Sequence, residues 1–286
     1  MPLNRKAIVT LAIGPRYRDL FERLCRANWT RYAERHGYDL VVFDRPLDGS
    51  ARAQARSPAW QKCLILEQPE MAAYERVVWL DADILINPDA PCACPGVPLD
   101  KIGAVDAYGT PNRAVYRDIL ERQYARWRAL GVRFIENPTP ETFYRAWGLP
   151  GTPEGGVDAV AQTGVLVLSP AHHRALLRHV YDAYDDKGGA EWNYEMRPLS
   201  YEIVKANLVA WIDGRFNMVV SDVFAWQYPF LADNLFRPLE ASNPKEVTIH
   251  LNRLLLTACL KAALANAYFL HFAGQQSLMP LLAESS

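Results

Sequence analysis

The sequence predicts an α/β fold with a mostly parallel sheet flanked by helices, and three observations predict it. An apolar run from Lys6 to Ile13 is followed by an amphipathic segment and a second β-rich run, Tyr38 to Phe43, the order that builds parallel sheets. Apolar strand candidates recur at Val77 to Leu80 and Gln162 to Leu168, separated by helix signals rather than hairpin turns. Of 286 residues, 50% are hydrophobic and 22% charged, enough to bury a sizeable core and stay soluble.

The elements follow in order. Gly14-Pro15 ends the first strand, an Arg-rich helix runs from Arg16 to His36, and Gly37 fits the position just past a helix end. Ser57-Pro58 supplies an N-cap and a first-turn proline for a helix reaching about Glu70. Val77-Val-Trp-Leu80 then runs straight into Asp81-Ala-Asp83. Gly103 to Tyr108 is a strand candidate and Asn112 to Leu130 a helix. Residues 131–159 hold many prolines and glycines and read as a loop or lid with little packed core. After Gln162 to Leu168, Ser169-Pro170 repeats the cap for a helix to about Tyr184, on which His172 and His173 read as a surface pair. A further helix near Leu199 to Asn207, short strands at Leu208 to Ile212 and Phe216 to Val220, and a buried helix then strand over Leu254 to Leu270 complete the chain. The expected organisation is one domain over 1–286. It divides into halves 1–109 and 110–286, with 131–159 a candidate lid.

Charge and cysteine usage exclude several classes. Thirty-one basic residues against 32 acidic ones leave a net charge of -1, so nothing draws the chain as a whole to nucleic acid or anionic lipid. Cys92-Ala93-Cys94 lacks the two-residue spacer of a zinc or redox pair, and five unpatterned cysteines favour a reduced, cytoplasmic setting. The stretch Leu254 to Leu270 is broken by Lys261 and Asn266 and falls short of a membrane span. Peripheral membrane contact stays open.

Asp81 and Asp83 stand directly after a buried strand, where open α/β sheets place their ligands. Two carboxylates one residue apart suit a divalent cation, which relieves their mutual repulsion. They could instead cap a loop facing water. His271, near the end of the last strand, would add an imidazole to make the mixed N/O set that Mn²⁺ accepts. Alone, it would read as a core histidine.

The run Val77-Val-Trp-Leu-Asp-Ala-Asp-Ile-Leu-Ile86, with Lys62 in the helix before it and His271-Phe-Ala-Gly274 after it, resembles the GT-A nucleotide-sugar glycosyltransferases. The likeness is to the glycogenin and bacterial lipopolysaccharide galactosyltransferase type. The resemblance implies a hexosyltransferase that uses Mn²⁺ or Mg²⁺ and a UDP-hexose donor on a hydroxyl acceptor, with retention. It implies that Asp81 contacts ribose and metal, that Asp83 and His271 ligate metal, and that Thr10, Tyr17 and Gly274 lie at the nucleotide. Lys62 matches a lysine at sugar or phosphate, and Gln162 a residue beside the donor sugar, usually Asn. Glu195 resembles an acidic donor-sugar residue. Residue by residue, Lys62 could also be a helix lysine snorkelling past Ile65 and Leu66, Tyr17 a cover for the first helix, and Glu195, Glu191 or Asp158 solvated loop charges. Inversion would need a base such as Glu195 or Asp158. Ser277-Leu-Met279 stands where the family has Lys-Pro-Trp, so the family's diphosphate-binding lysine is missing and an arginine from elsewhere would have to replace it. A haloacid-dehalogenase phosphatase, a nucleotidyltransferase and a non-catalytic carbohydrate-binding protein are the alternatives.

Overall fold

The computed structural model of the chain describes residues 4–131, 134–150, 157–187, 194–231 and 245–283, the side chains of 245–250 and 283 excepted. Parts of the lid region (132–133 and 151–156) and Glu191 lie outside the described residues.

Six strands form the main sheet in the order β2-β1-β3-β6-β5-β7. They are β1 (Lys6–Leu11), β2 (Asp39–Phe43), β3 (Arg76–Leu80), β5 (Ile102–Asp106), β6 (Ala161–Leu168) and β7 (Val209–Trp211). β1 pairs parallel with β2 and β3, and β5 with β7, while β6 runs antiparallel to both β3 and β5. Side-chain alternation in β1, β3 and β6 feeds two cores. Ile8, Val78, Val165 and Val167 belong to one cluster, and Ala7, Val9, Val77, Trp79, Leu166 and Leu168 to the other. β3 is covered on both faces and buried along its whole length, which is why it is apolar from Val77 to Leu80.

Helices cover both faces. Pro15–Leu20, a π-helical turn Phe21–Cys25 and Arg26–His36 follow one another, and the last ends on Gly37 with a left-handed φ of 66°. Asn112 caps Arg113–Ala129 through its side chain, whereas Ser169 makes no side-chain cap to Pro170–Ala183. The segment expected as one helix from Ser57 to Glu70 is instead two 3₁₀ helices, Pro58–Glu67 and Pro69–Ala73. Pro69 keeps Gln68 extended (ψ 132°), which stops the first and restarts the second. Burial runs unbroken from Trp60 to Leu66, so the first has no solvent face to snorkel toward.

Three further readings are corrected. Within 131–159, where little packed core was expected, helix Pro140–Arg145 is held by a Thr139 capping box, and Phe143, Tyr144, Trp147 and Leu149 enter the second core, while Ile135, Glu136, Pro138 and Thr139 are exposed. Aromatic mass there outweighs the turn formers. His172 is exposed, but His173 is fully buried, its Nδ1 accepting the Ser169 amide at 2.8 Å, and burial pulls its pKa down to about 4. The helix Lys245–Asn266 is half-buried rather than buried, with Leu260 and Ala263 inward and Leu251 and Leu254 exposed. Among the described residues no helix is long and apolar enough to cross a membrane.

A small second sheet positions the C-terminus. Its strands are β4 (Ile84–Ile86), β8 (Met218–Val219) and β9 (Phe269–His271), in the order β4-β9-β8. β4 follows the acidic pair at once and pairs antiparallel with β9, setting Ile84 opposite His271.

Candidate active site

That register brings together residues 188 positions apart (271 − 83). His271 Nε2 lies 3.2 Å from Asp83 Oδ1 and 3.7 Å from Asp81 Oδ2. One donor atom from each of Asp81, Asp83 and His271 can be chosen so that all lie within 4.8 Å of one another. Asp81 leaves the end of β3, its amide donating to the Gly164 carbonyl at 2.9 Å. The Asp83 carbonyl accepts the Phe272 amide at 2.9 Å, which locks the two chain segments in register.

Neighbours fix the orientation of each group. His271 Nδ1 sits 2.9 Å from Asn217 Oδ1, so Nδ1 carries the proton and Nε2 faces the carboxylates. Gln276 Nε2 donates to Asp83 Oδ2 at 2.7 Å, and Trp79 Nε1 to Asp81 Oδ1 at 2.9 Å. Burial raises the Asp83 pKa, but the His271 imidazole outweighs it, and the result is lowered. Burial alone would lower the His271 pKa, and the Asp83 carboxylate reverses this, leaving it raised. A divalent cation would satisfy Nε2 and both carboxylates at once. The donor set fits a borderline cation such as Mn²⁺, two carboxylates and one imidazole in the correct tautomer.

Lys62 sits beneath this group, almost fully buried. Its Nζ donates to Asp81 Oδ1 at 2.9 Å and to the Thr163 carbonyl at 3.3 Å, and pairs with Glu195 Oε1 at 2.7 Å. Burial would lower its pKa, yet Asp81 and Glu195 together hold it above the ordinary value. Glu195 is as deeply buried, and burial raises its pKa against the pull of Lys62. Neither residue is a solvated helix or loop charge.

Gly164 is required by close approach. A Cβ there would lie 2.4 Å from His271 Cε1 and 2.7 Å from Nδ1. Gly164→Ala is therefore expected to push the imidazole out of line and weaken Mn²⁺ binding by about 10–100-fold, the range for disturbing a ligand's support. Calorimetric titration with Mn²⁺ checks it.

The other predicted residues are placed as follows. Thr10 is fully buried in β1 with its hydroxyl unpaired, and Tyr17 is 43% exposed just beyond the strand end. Gly274 takes a left-handed φ of 69° in the turn after His271. Gln162 Oε1 accepts the Gly164 amide at 3.1 Å. Gln162 and Asn217 also line a cleft of about 870 Å³ beside the triad. Asp106 and Asp222 line it as well, both with pKa values raised by burial, together with Tyr108 and Trp226. A shallower groove against Pro170–Ala183, lined by His172, Arg174 and Arg178, contains none of the predicted site residues. Asn217, Gln276 and Trp79 were not foreseen. Asn217 and Gln276 are ordinary amides in sequence, and only the pairing of β8 and β9 and the turn at Gly274 bring them to His271 and Asp83.

No protein-family model matches the chain, and no curated protein matches it in sequence. Solved structures do. A glycosyltransferase involved in the glycosylation of the major capsid of PBCV-1 is 14% identical with a TM-score of 0.51, over 96% of this chain and 100% of that one. The galactosyltransferase LgtC in complex with donor and acceptor sugar analogs is 13% identical with a TM-score of 0.46, over 98% and 95%. With the sheet order above, the first of these likenesses establishes that the chain has the GT-A fold.

Proposed function

We propose that this protein is a metal-dependent glycosyltransferase that moves a hexose from a UDP-linked donor to a hydroxyl of a glycan, lipid-linked or other acceptor. The observation that carries the reading is the triad of Asp81, Asp83 and His271, in the tautomer a cation needs, at the end of a GT-A sheet and beside an open cleft. The three residues would hold the cation, which supplies Lewis-acid neutralisation of the departing diphosphate. The chain's own groups do the rest. Asn217 and Gln276 hold the imidazole and the Asp83 carboxylate in place, and Lys62 holds Asp81 through one oxygen, leaving Oδ2 toward the site.

Tyr17, exposed beyond β1, is available to stack on the base, and the unpaired Thr10 hydroxyl offers a polar partner at the same strand. Gln162 sits between the triad and the cleft, which suits contact with the donor sugar. The cleft itself mixes aromatic faces with carboxylates, the surface a polyhydroxylated acceptor needs. Retention is the better reading: Glu195 is tied to Lys62, and Asp158 is exposed beside Arg113, so neither named base is free to activate an acceptor. The phosphatase alternative fits poorly, because Asp81 follows a strand paired antiparallel with β6 in a GT-A sheet.

Calorimetry of UDP with and without Mn²⁺, followed by chromatographic detection of UDP released from UDP-hexoses, tests the proposal. Binding should require the metal, and a UDP-hexose should be turned over. Metal-independent binding would overturn the site assignment, whereas metal-dependent binding without turnover of any UDP-sugar would favour a non-catalytic carbohydrate-binding protein.

A further inference from the structure

On the face of the molecule reached from the start of β1, the loop after β4 carries Cys92 and Cys94. Spacing alone gave them no role, but the structure groups their sulfurs around one phenol. The Tyr38 hydroxyl lies 3.0 Å from Cys92 Sγ and 3.1 Å from Cys94 Sγ. The Lys6 ammonium donates to Cys92 Sγ at 3.8 Å and rests 4.4 Å from the centre of the Tyr38 ring. Both thiols are only half-buried, whereas Cys25, Cys63 and Cys259 are buried.

We propose that Cys92-Ala93-Cys94 is a reversible dithiol modification site that reacts with low-molecular-weight disulfides. Cys92 is the attacking sulfur. A thiolate with a hydroxyl and an ammonium against it is the nucleophilic form, and partial exposure lets a disulfide reach it. The Cys92 thiolate attacks one sulfur of the incoming disulfide, forming a mixed disulfide and expelling one thiolate. Cys94 then loses its proton and attacks Cys92 Sγ, closing the intramolecular disulfide and expelling the second thiolate. Two protein thiols are oxidised and the small disulfide is reduced to two thiols, so the electrons balance. Both sulfurs lie against one hydroxyl, which keeps them on the same side of the loop for closure.

The surrounding charges agree. The Cys94 thiol and then the Tyr38 hydroxyl, with a smaller part from Lys6, draw the Cys92 thiol well below its ordinary range against the effect of burial. Cys94 is held up by its neighbour Cys92 and by burial, which suits a resolving thiol. The other side chains packed against the loop are Tyr32, whose hydroxyl bonds the Pro91 carbonyl, His36, whose ring meets the Ala90 carbonyl, Arg35, which donates to the Pro88 carbonyl, and Arg76, which donates to the Val97 and Pro98 carbonyls. The buried Cys25 and Cys63 thiols are pushed up and should be inert.

The test is to expose the folded chain to oxidised glutathione and follow intact and peptide mass. The wild-type protein should lose two hydrogens in a Cys92–Cys94 disulfide without retaining glutathione. Cys94→Ser should stop with one glutathionyl group on Cys92, and Cys92→Ser should react at least about tenfold more slowly. The wild-type rate should reach half its maximum below about pH 7, not near the ~8.5 of an ordinary thiol, and Tyr38→Phe should move that midpoint upward. A retained glutathionyl group on the wild type, a disulfide to any other cysteine, or an ordinary midpoint would overturn the proposal. The wild-type measurements stand without any variant, so a misfolded substitution leaves the decision intact.

Discussion

Asp83→Asn is expected to abolish sugar transfer and to lower Mn²⁺ affinity beyond the about 10–100-fold that follows from disturbing a ligand's support. A neutral amide is a poor ligand for a hard cation, and Asp83 faces the site with an oxygen 3.2 Å from His271 Nε2. The fold should survive. The amide can still meet Gln276, and His271 keeps its Asn217 bond and loses the carboxylate that favours its charged form. The apo melting temperature should therefore move little while metal-dependent UDP binding disappears, both measurable on one sample by calorimetry and thermal scanning. His271→Ala sharpens the comparison by removing the nitrogen ligand and a buried side chain together. A variant of His271 with a clearly lowered apo melting temperature but near-normal activity, or an Asp83→Asn protein with unchanged Mn²⁺-dependent binding, would sink the three-residue metal site.

The main sheet was legible because its strands bury both faces and so write themselves as unbroken apolar runs; β1, β3 and β6 each lie within a residue or two of the expected segments. The direction of β6 was not legible, since apolar runs carry no sign of strand polarity. β4 was missed for a related reason. Ile84–Ile86 is three residues long, and its partners lie at the far end of the chain. The acidic pair and His271 could be picked out by position, but the network that orients them could not. Asn217 and Gln276 reach the site through the segment at β8 and a turn; Lys62 was named, but its burial under the site was not legible, since no periodicity announces a 3₁₀ helix with an unbroken buried run. The expectation of little packed core in 131–159 erred in the opposite direction. Prolines and glycines mark turns, yet Phe143, Tyr144 and Trp147 between them supply enough apolar surface to pack the segment down.

Lys62 is where stability and function meet, and Lys62→Met should show it. The lysine is 4% exposed and holds two carboxylates, Glu195 at 2.7 Å and Asp81 at 2.9 Å. Methionine matches its length but leaves Glu195 buried without its counter-ion, and removing one partner of a buried pair costs about 3–5 kcal/mol. For a chain of this size that corresponds to a fall in melting temperature of about 5–8 °C. A second substitution separates the causes. If the loss comes from the stranded charge, adding Glu195→Gln should restore most of the stability, because a neutral amide no longer needs the ammonium. If it comes from packing, the double variant should be as unstable as the single one or worse. Activity should stay low in both, since Asp81 has then lost the ammonium at Oδ1 and keeps only the Trp79 Nε1 bond there. A Lys62→Met protein that melts within about 1 °C of the wild type, far less than the cost of an unpaired buried carboxylate, would show that Lys62 is not the counter-charge on which this site is built.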